Sequence, residues 1–383
     1  MARAACSVWG RGAKALPMAA MPACCRSRPP SLYGFDLANL QAGATTGVYQ
    51  RDAAPHGGAI AISLINDVAN QNAATVQNVL IENLASSTGL QFASARPANS
   101  VPLIIAGDKL NRSGLDSFTL DAAGSVEMAT GATIALDPGA SLALKGKTLK
   151  IDGAITAPSG SVALRTQPPA SATGEENFTI DLGSHALLST SGRWTNDLLD
   201  GAKTTTSQLT DGGKIVVDAL GDLTVARGAE IHADAGARMS GKGRVSGGDG
   251  GAIALTTRRA GATGSRMTLD GVVTAYGFGI GGSLTLTANG FRIGDAAVAA
   301  TDYTMLINPT FFTAAGFASY TLAGNRDSVE VTAGTQVRPQ QSNLVFGDLQ
   351  TAARAGTGSS MNSFVGLSML ADRQRKPVDI ALT

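Results

Sequence analysis

Seven short segments with alternating apolar or small residues recur between residues 117 and 164. They start at residues 117, 125, 133, 141, 148, 154 and 161. Alternation with a period of two predicts β-strands rather than helices. Gly, Asp, Pro, Lys and Ser separate the segments, and most of these residues are typical of turns. Three strands with their turns span roughly 20–24 residues, which is the length of a solenoid repeat.

A strand of four residues cannot bury its apolar face alone. It buries that face when it stacks on the equivalent strand of the next repeat. We therefore predict an all-β fold in which short strands stack along the length of the molecule. The small apolar residues and the low aromatic content of 5% favour thin, closely stacked repeats over a wide core.

Glycine pairs mark a second pattern. A Gly-Gly pair precedes an alternating strand in residues 57–64, 212–217, 250–255 and 281–286, and residues 160–164 are a shortened copy. We interpret each pair as a tight corner where glycine supplies a positive φ before the strand begins. Ordinary loop composition is the alternative.

The pattern divides the chain into three regions. Residues 1–56 are predicted to be an irregular or non-native leader, which contains all three cysteines. Residues 57–300 hold the repeats, with a possible short helix at 66–87, although Val79, Leu80 and Ile81 suit a strand equally well. Polar insertions after residue 164 are predicted to be loops that leave the corners of the stack. Residues 301–383 are an aromatic-rich β continuation that ends, truncated, on another alternating strand.

Charge excludes one class of partner. The net charge is +1 and no basic face stands out, so nucleic acid is not an expected partner. The first 25 residues lack the unbroken apolar segment of a secretory signal peptide.

The chain resembles an internal or C-terminal fragment of the filamentous haemagglutinin-type large exoproteins of two-partner secretion. Residues 101–110, the repeats at 125–164, the Gly-Gly strands and residues 306–322 carry the resemblance. It implies a right-handed parallel β-helix with loop insertions, exported through an outer-membrane transporter of the two-partner secretion type. It also implies an extracellular or outer-membrane location, and a role either in adhesion to a host or bacterial receptor or glycan that the sequence does not name or in displaying an end domain.

Five aromatic side chains are candidates for an exposed contact surface: Trp194, Phe311, Phe312, Phe317 and Tyr320. A wider core or a cap on the stack is the alternative for the last four. We predict no catalytic residue, no cofactor and no metal ligand.

Histidines and carboxylates give catalysis little support. His56, His185 and His232 are scattered, and Ser184 beside His185 suits a turn. The main expectation is a non-catalytic shaft segment of a secreted adhesin. A β-helix polysaccharide lyase or hydrolase is one alternative, with carboxylates such as Asp137, Asp152 and Asp270 near turns. A degenerate gene fragment without independent function is the other.

Overall fold

A computed structural model describes residues 34–35, 42–43, 57–64, 78–83, 102–111, 113–168, 178–200, 209–258, 264–294, 303–313, 315–371 and 373–383. Strands dominate this part of the chain, and most of them pair in parallel. The helical segments are short: Gly107–Leu110, Asp197–Asp200 and Leu349–Arg354, with 3-10 turns at Pro309–Thr313 and Met361–Ser363. The expected all-β class is confirmed. Within these ranges, no helix combines the length and the apolar character that crossing a membrane requires.

Three long parallel sheets hold most of the strands, and we call them sheets I, II and III. Sheet I runs in the spatial order Gly34–Phe35, Leu103–Ala106, Val79–Glu82, Val126–Met128, Leu149–Ile151, Ile180–Leu182, Leu223–Val225, Met267–Leu269. Sheet II runs Thr133–Ala135, Ala154–Thr156, Leu187–Ser189, Glu230–His232, Val272–Thr274. Sheet III runs Gly58–Leu64, Leu115–Ala122, Ser141–Gly146, Ser161–Thr166, Lys214–Ala219, Ala252–Thr257, Gly282–Ala288, Phe317–Gly324, Asp379–Leu382.

Three smaller sheets complete the described strands. Trp194–Asn196, Ala237–Met239 and Val245–Gly247 form one, and Thr304–Ile307, Gly290–Ile293 and Val329–Val331 form another. Asn343–Phe346 and Val365–Ser368 form an antiparallel ribbon. Some of the residues that were predicted to form insertion loops therefore form strands.

The chain visits the three long sheets in a fixed order. From residue 126 to residue 288 it passes through sheets I, II and III in turn, in cycles that start at Val126, Leu149, Ile180, Leu223 and Met267. All seven segments predicted between residues 117 and 164 are strands. The four Gly-Gly segments and the shortened copy all belong to sheet III.

Register places one apolar side chain directly above another. In sheet II this column consists of Ile134, Ile155, Leu188, Ile231 and Val273, each at most 8% exposed. Fully burying one such side chain contributes about 1.5–3 kcal/mol. The main core is thus one continuous cluster to which strands of all three sheets contribute.

Asparagine and aspartate side chains join successive cycles at the turns. Asp152 accepts the His185 N–H at 3.0 Å, and Asp222 accepts the Arg266 N–H at 2.8 Å. Asp249 likewise accepts a backbone N–H from the next cycle, at 3.0 Å. These bonds satisfy amides at strand ends that the ladders leave without a partner.

Glycines at the start of the sheet III strands also stack in a column, formed by Gly160, Gly213, Gly251 and Gly282. A Cβ on any of them would lie less than 3.0 Å from the carbonyl oxygen of the residue below. None of the four has a positive φ. The predicted reason for these glycines is therefore wrong: lack of space for a side chain requires them, not the backbone conformation.

The helix predicted at 66–87 is contradicted where the structure describes it. Val79–Glu82 is a strand that pairs in parallel with Val126–Met128. Val79 and Ile81 point inward at a period of two and are 1% and 0% exposed, so burial in sheet I overrides the helical spacing. Residues 66–77 and 84–87 lie outside the described residues, as do most of the predicted leader and its cysteines.

We expect Gly251→Ala to destabilise the protein by about 1–3 kcal/mol or more, because its methyl group would overlap the carbonyl of Gly213. Gly366→Ala is the matched control, since a Cβ there meets nothing within 4 Å. Urea denaturation followed by circular dichroism measures both. Equal stability of the two variants would contradict the steric explanation.

Candidate functional site

Four of the predicted contact aromatics cluster inside the protein. Phe312, Phe317 and Tyr320 are 0–1% exposed, and Phe311 is partly buried. The rings of the three phenylalanines lie 5.1–5.9 Å from the ring of Tyr320. Tyr320 aligns with the inward-facing Leu284, so strand register turns its ring towards the core. The prediction of an exposed patch is wrong for these residues, and a cap on the core describes them better.

Trp194 belongs to a different cluster. It is 1% exposed and packs with Ala237, Met239, Ala352 and Phe364 in a second, smaller core. That core lies beside the three long sheets and shares no buried residue with the main core. None of the five sequence-predicted contact residues is exposed, and Trp194 lies apart from the other four.

A shallow groove of ≈ 770 Å³ lies over the glycine column. Its floor is made by glycines at the start of four sheet III strands, which leave no side chain to fill it. Ser283 and Ser319 line the groove, and so do the exposed residues Lys214 and Lys376. Two ammonium groups, several hydroxyls and the carboxylate of Asp379 therefore surround a floor of bare backbone.

Ser184, His185 and Asp152 come together but do not form a catalytic triad. The Ser184 Oγ lies 3.2 Å from His185 Nδ1, and Asp152 Oδ2 lies 3.3 Å from the same nitrogen. In a triad the nucleophile and the carboxylate bind opposite nitrogens of the imidazole. His185 is also largely exposed. The arrangement is a turn that is tied to the preceding cycle.

A second histidine stands in a polar chain on the outer face of sheet II. His232 Nδ1 lies 2.7 Å from Thr274 Oγ1, and its Nε2 lies 2.9 Å from Glu230 Oε2. The Thr274 hydroxyl also donates to Asp234 Oδ2 at 3.0 Å. Burial raises the pKa of Asp234, although its carboxylate accepts the Tyr276 N–H. Glu230, His232 and Asp234 are close in sequence, but Thr274 comes from the next cycle, so the sequence alone did not predict the cluster.

The carboxylates named from sequence do not meet. Asp152 and Asp270 follow equivalent strands of sheet I three cycles apart, which is about 14 Å along the stack. Glycosidase carboxylates lie roughly 5–9.5 Å apart. Asp137 follows a strand of sheet II instead. His56 lies outside the described residues, and the described ranges contain no group of three or more His, Cys, Asp or Glu that could hold a metal ion.

Comparison of the chain with protein-family models, with curated proteins and with solved structures found no match.

Replacing Tyr320 by Phe should stabilise the protein by about 1 kcal/mol. The Tyr320 hydroxyl is buried and has no hydrogen-bond partner among the described residues, so its removal relieves a desolvation cost. Tyr303→Phe is the control, because this ring is 37% exposed and a change within about 0.5 kcal/mol is expected. Chemical denaturation measures both, and destabilisation by Tyr320→Phe would overturn the prediction.

Two aspartates should affect stability with opposite pH dependence. Burial raises the pKa of Asp234 above 3.8, whereas the Thr130 hydroxyl holds the pKa of Asp152 below it. Asp234 therefore contributes to the free energy of unfolding below about pH 3.8, and this contribution is lost as pH rises through the pKa of Asp234 in the folded protein. Asp152 contributes above about pH 3.8, and its contribution is lost as pH falls through the pKa of Asp152 in the folded protein.

Urea midpoints between about pH 3 and pH 7 test this difference. The urea midpoint of the wild type relative to that of Asp234→Asn should decrease as pH rises. Its midpoint relative to that of Asp152→Asn should decrease as pH falls. The same sign for both variants would refute the assignment.

Proposed function

We propose that this chain is a structural shaft segment of a secreted or cell-surface adhesin of the filamentous haemagglutinin type, without catalytic activity. In this proposal sheets I, II and III are the faces of a right-handed parallel β-helix. The parent protein leaves the cell through an outer-membrane transporter of the two-partner secretion type.

The fixed cycling of the chain through sheets I, II and III is the observation that carries the proposal. Each cycle adds one strand to each sheet, and each strand covers the apolar side of its equivalent in the previous cycle. Length therefore grows by repetition without any change in the cross-section. A body built in this way suits a spacer that holds a binding region away from the cell surface.

The contact surface, in this proposal, is not the set of aromatics named from sequence, because four of those five are buried. The groove over the glycine column and the lateral structures around Trp194 are the better candidates. Both lie outside the main core.

A polysaccharide lyase or hydrolase is the second candidate, and the cluster of Glu230, His232 and Asp234 is the observation that favours it. Two carboxylates flank one imidazole there, and burial raises the pKa of Asp234. Incubation with neutral and acidic polysaccharides, followed by assay of new reducing ends, tests this candidate. Activity that Glu230→Gln or Asp234→Asn abolishes would replace the shaft proposal.

Export tests the main proposal. The full chain, fused behind the secretion domain of a two-partner exoprotein, should reach the surface of a Gram-negative host only when the cognate transporter is present. Antibody labelling of intact cells and digestion with external protease measure the exposure. Retention of the chain inside cells that export the secretion domain alone would contradict the proposal.

Leu164→Asp provides the matched structural variant. The side chain of Leu164 is fully buried in sheet III, so a carboxylate there should disrupt the neighbouring cycles. If surface folding of the stack drives export, the variant should reach the surface in reduced amounts. Equal surface levels of the variant and the wild type would contradict a dependence of export on the stack.

A further inference from the structure

The segment of residues 341–368 lies on the side of the sheets as a small folded unit. Its two strands, Asn343–Phe346 and Val365–Ser368, pair with each other, and the helix Leu349–Arg354 lies between them. Asp348 caps this helix by accepting the N–H groups of Gln350 and Thr351. The segment thus has its own hydrogen bonds, and we call it the strap.

The strap covers Trp194 with apolar contacts that are separate from the main core. The rings of Trp194 and Phe364 lie 4.9 Å apart, and Phe346 stacks on Phe278 at 4.6 Å. Met239 completes the interface. None of these side chains belongs to the continuous stack inside the three long sheets.

Asn196 is the main polar link between the strap and the sheets. Its fully buried amide donates to the carbonyls of Ala352, Ala353 and Ala355 at 2.8–3.3 Å. Its Oδ1 accepts the N–H of Leu198 at 3.1 Å. One side chain therefore joins the end of the strap helix to the start of the helix Asp197–Asp200.

Further hydrogen bonds connect the strap to the rest of the protein. The Trp194 indole donates to the Ala355 carbonyl at 3.0 Å, and the Gly358 N–H donates to the Trp194 carbonyl at 2.9 Å. At the other end of the strap, Asn343 donates to the carbonyls of Gly277 and Gly279 at 3.3 and 3.1 Å. Residues 332–340, 369–371 and 373–378 connect the strap to the neighbouring strands and are mostly exposed.

We infer that the strap undocks from the side of the sheets as one unit while sheets I, II and III stay folded. The two cores share no buried residue, so opening the smaller core leaves the contacts of the larger one intact. Local opening of this kind takes place in contiguous units that have few buried apolar contacts. Undocking exposes Trp194, Met239 and Phe278. The apolar surface formed by these side chains is therefore covered in the docked state and exposed in the undocked state.

Trp194 fluorescence reports the docking. The chain has two tryptophans, and Trp9→Phe leaves Trp194 as the only one. In a urea titration of this full-length variant, the fluorescence should shift to longer wavelength at lower urea than the loss of β-sheet circular dichroism. Coincident transitions would overturn the inference.

Asn196→Asp sharpens the test, because a carboxylate would face three carbonyl oxygens. The ratio of undocked to docked strap should rise roughly tenfold or more, while the circular dichroism midpoint stays unchanged. Asn325→Asp is the matched control, since the Asn325 amide donates to the Thr257 carbonyl at 2.6 Å, away from the strap. This control should leave the fluorescence midpoint where it is, and an equal shift in both variants would count against the inference.

Hydrogen exchange of the wild type keeps the inference testable if Asn196→Asp fails to fold. Amides of residues 341–368 that are hydrogen-bonded should exchange together, with one opening rate, before the amides of sheet III. Exchange of the strap at the rate of sheet III would show that the two open only as one body.

Discussion

Parallel, in-register stacking of equivalent strands is the constraint on which the rest of the structure depends. Backbone hydrogen bonds hold neighbouring strands about 4.8 Å apart, so each side chain meets its equivalents at that distance. Inward columns are therefore mostly apolar, with few exceptions such as Thr166 and Thr257. On the outer faces unlike charges become neighbours, as with Lys145 and Asp121 in sheet III or Lys150 and Glu127 in sheet I. The same spacing between strands that builds the core thus favours neighbours of opposite charge on the outer faces.

Stacking also explains why the turns are rich in glycine and aspartate. Where the strands of sheet III begin, the backbone of one cycle lies so close to the next that a Cβ has no space, which requires Gly213 and Gly251. Where other strands begin or end, backbone amides need an acceptor, and the carboxylates of Asp222 and Asp152 supply it. Polar residues at turns, which sequence reasoning first considers as candidates for chemistry, here hold one cycle to the next.

The sequence predicted what repeats and missed what does not. Alternation within residues 117–164 identified seven strands, and the Gly-Gly pairs located strands of sheet III, because these signals are local and recur. The sequence did not predict the burial of Trp194, because that burial depends on Phe364, 170 residues later in the chain. It failed for Tyr320 because alternation does not reveal which face of a strand is the inner one. The polar cluster around His232 was missed for a different reason, since the alignment of Thr274 with His232 depends on register between cycles.

The second core shows how such a stack acquires new features. Two of the segments that build it, Trp194–Asn196 and Ala237–Met239, lie between a strand of sheet II and the next strand of sheet III, where an insertion does not alter the register of either sheet. Because Trp194 and Phe364 share no buried neighbour with the main core, substitutions around them should not propagate into the stack. In the three long sheets each residue must fit its equivalents in the neighbouring cycles, whereas the second core does not have this constraint. Sequence variation is therefore tolerated best on this side of the molecule.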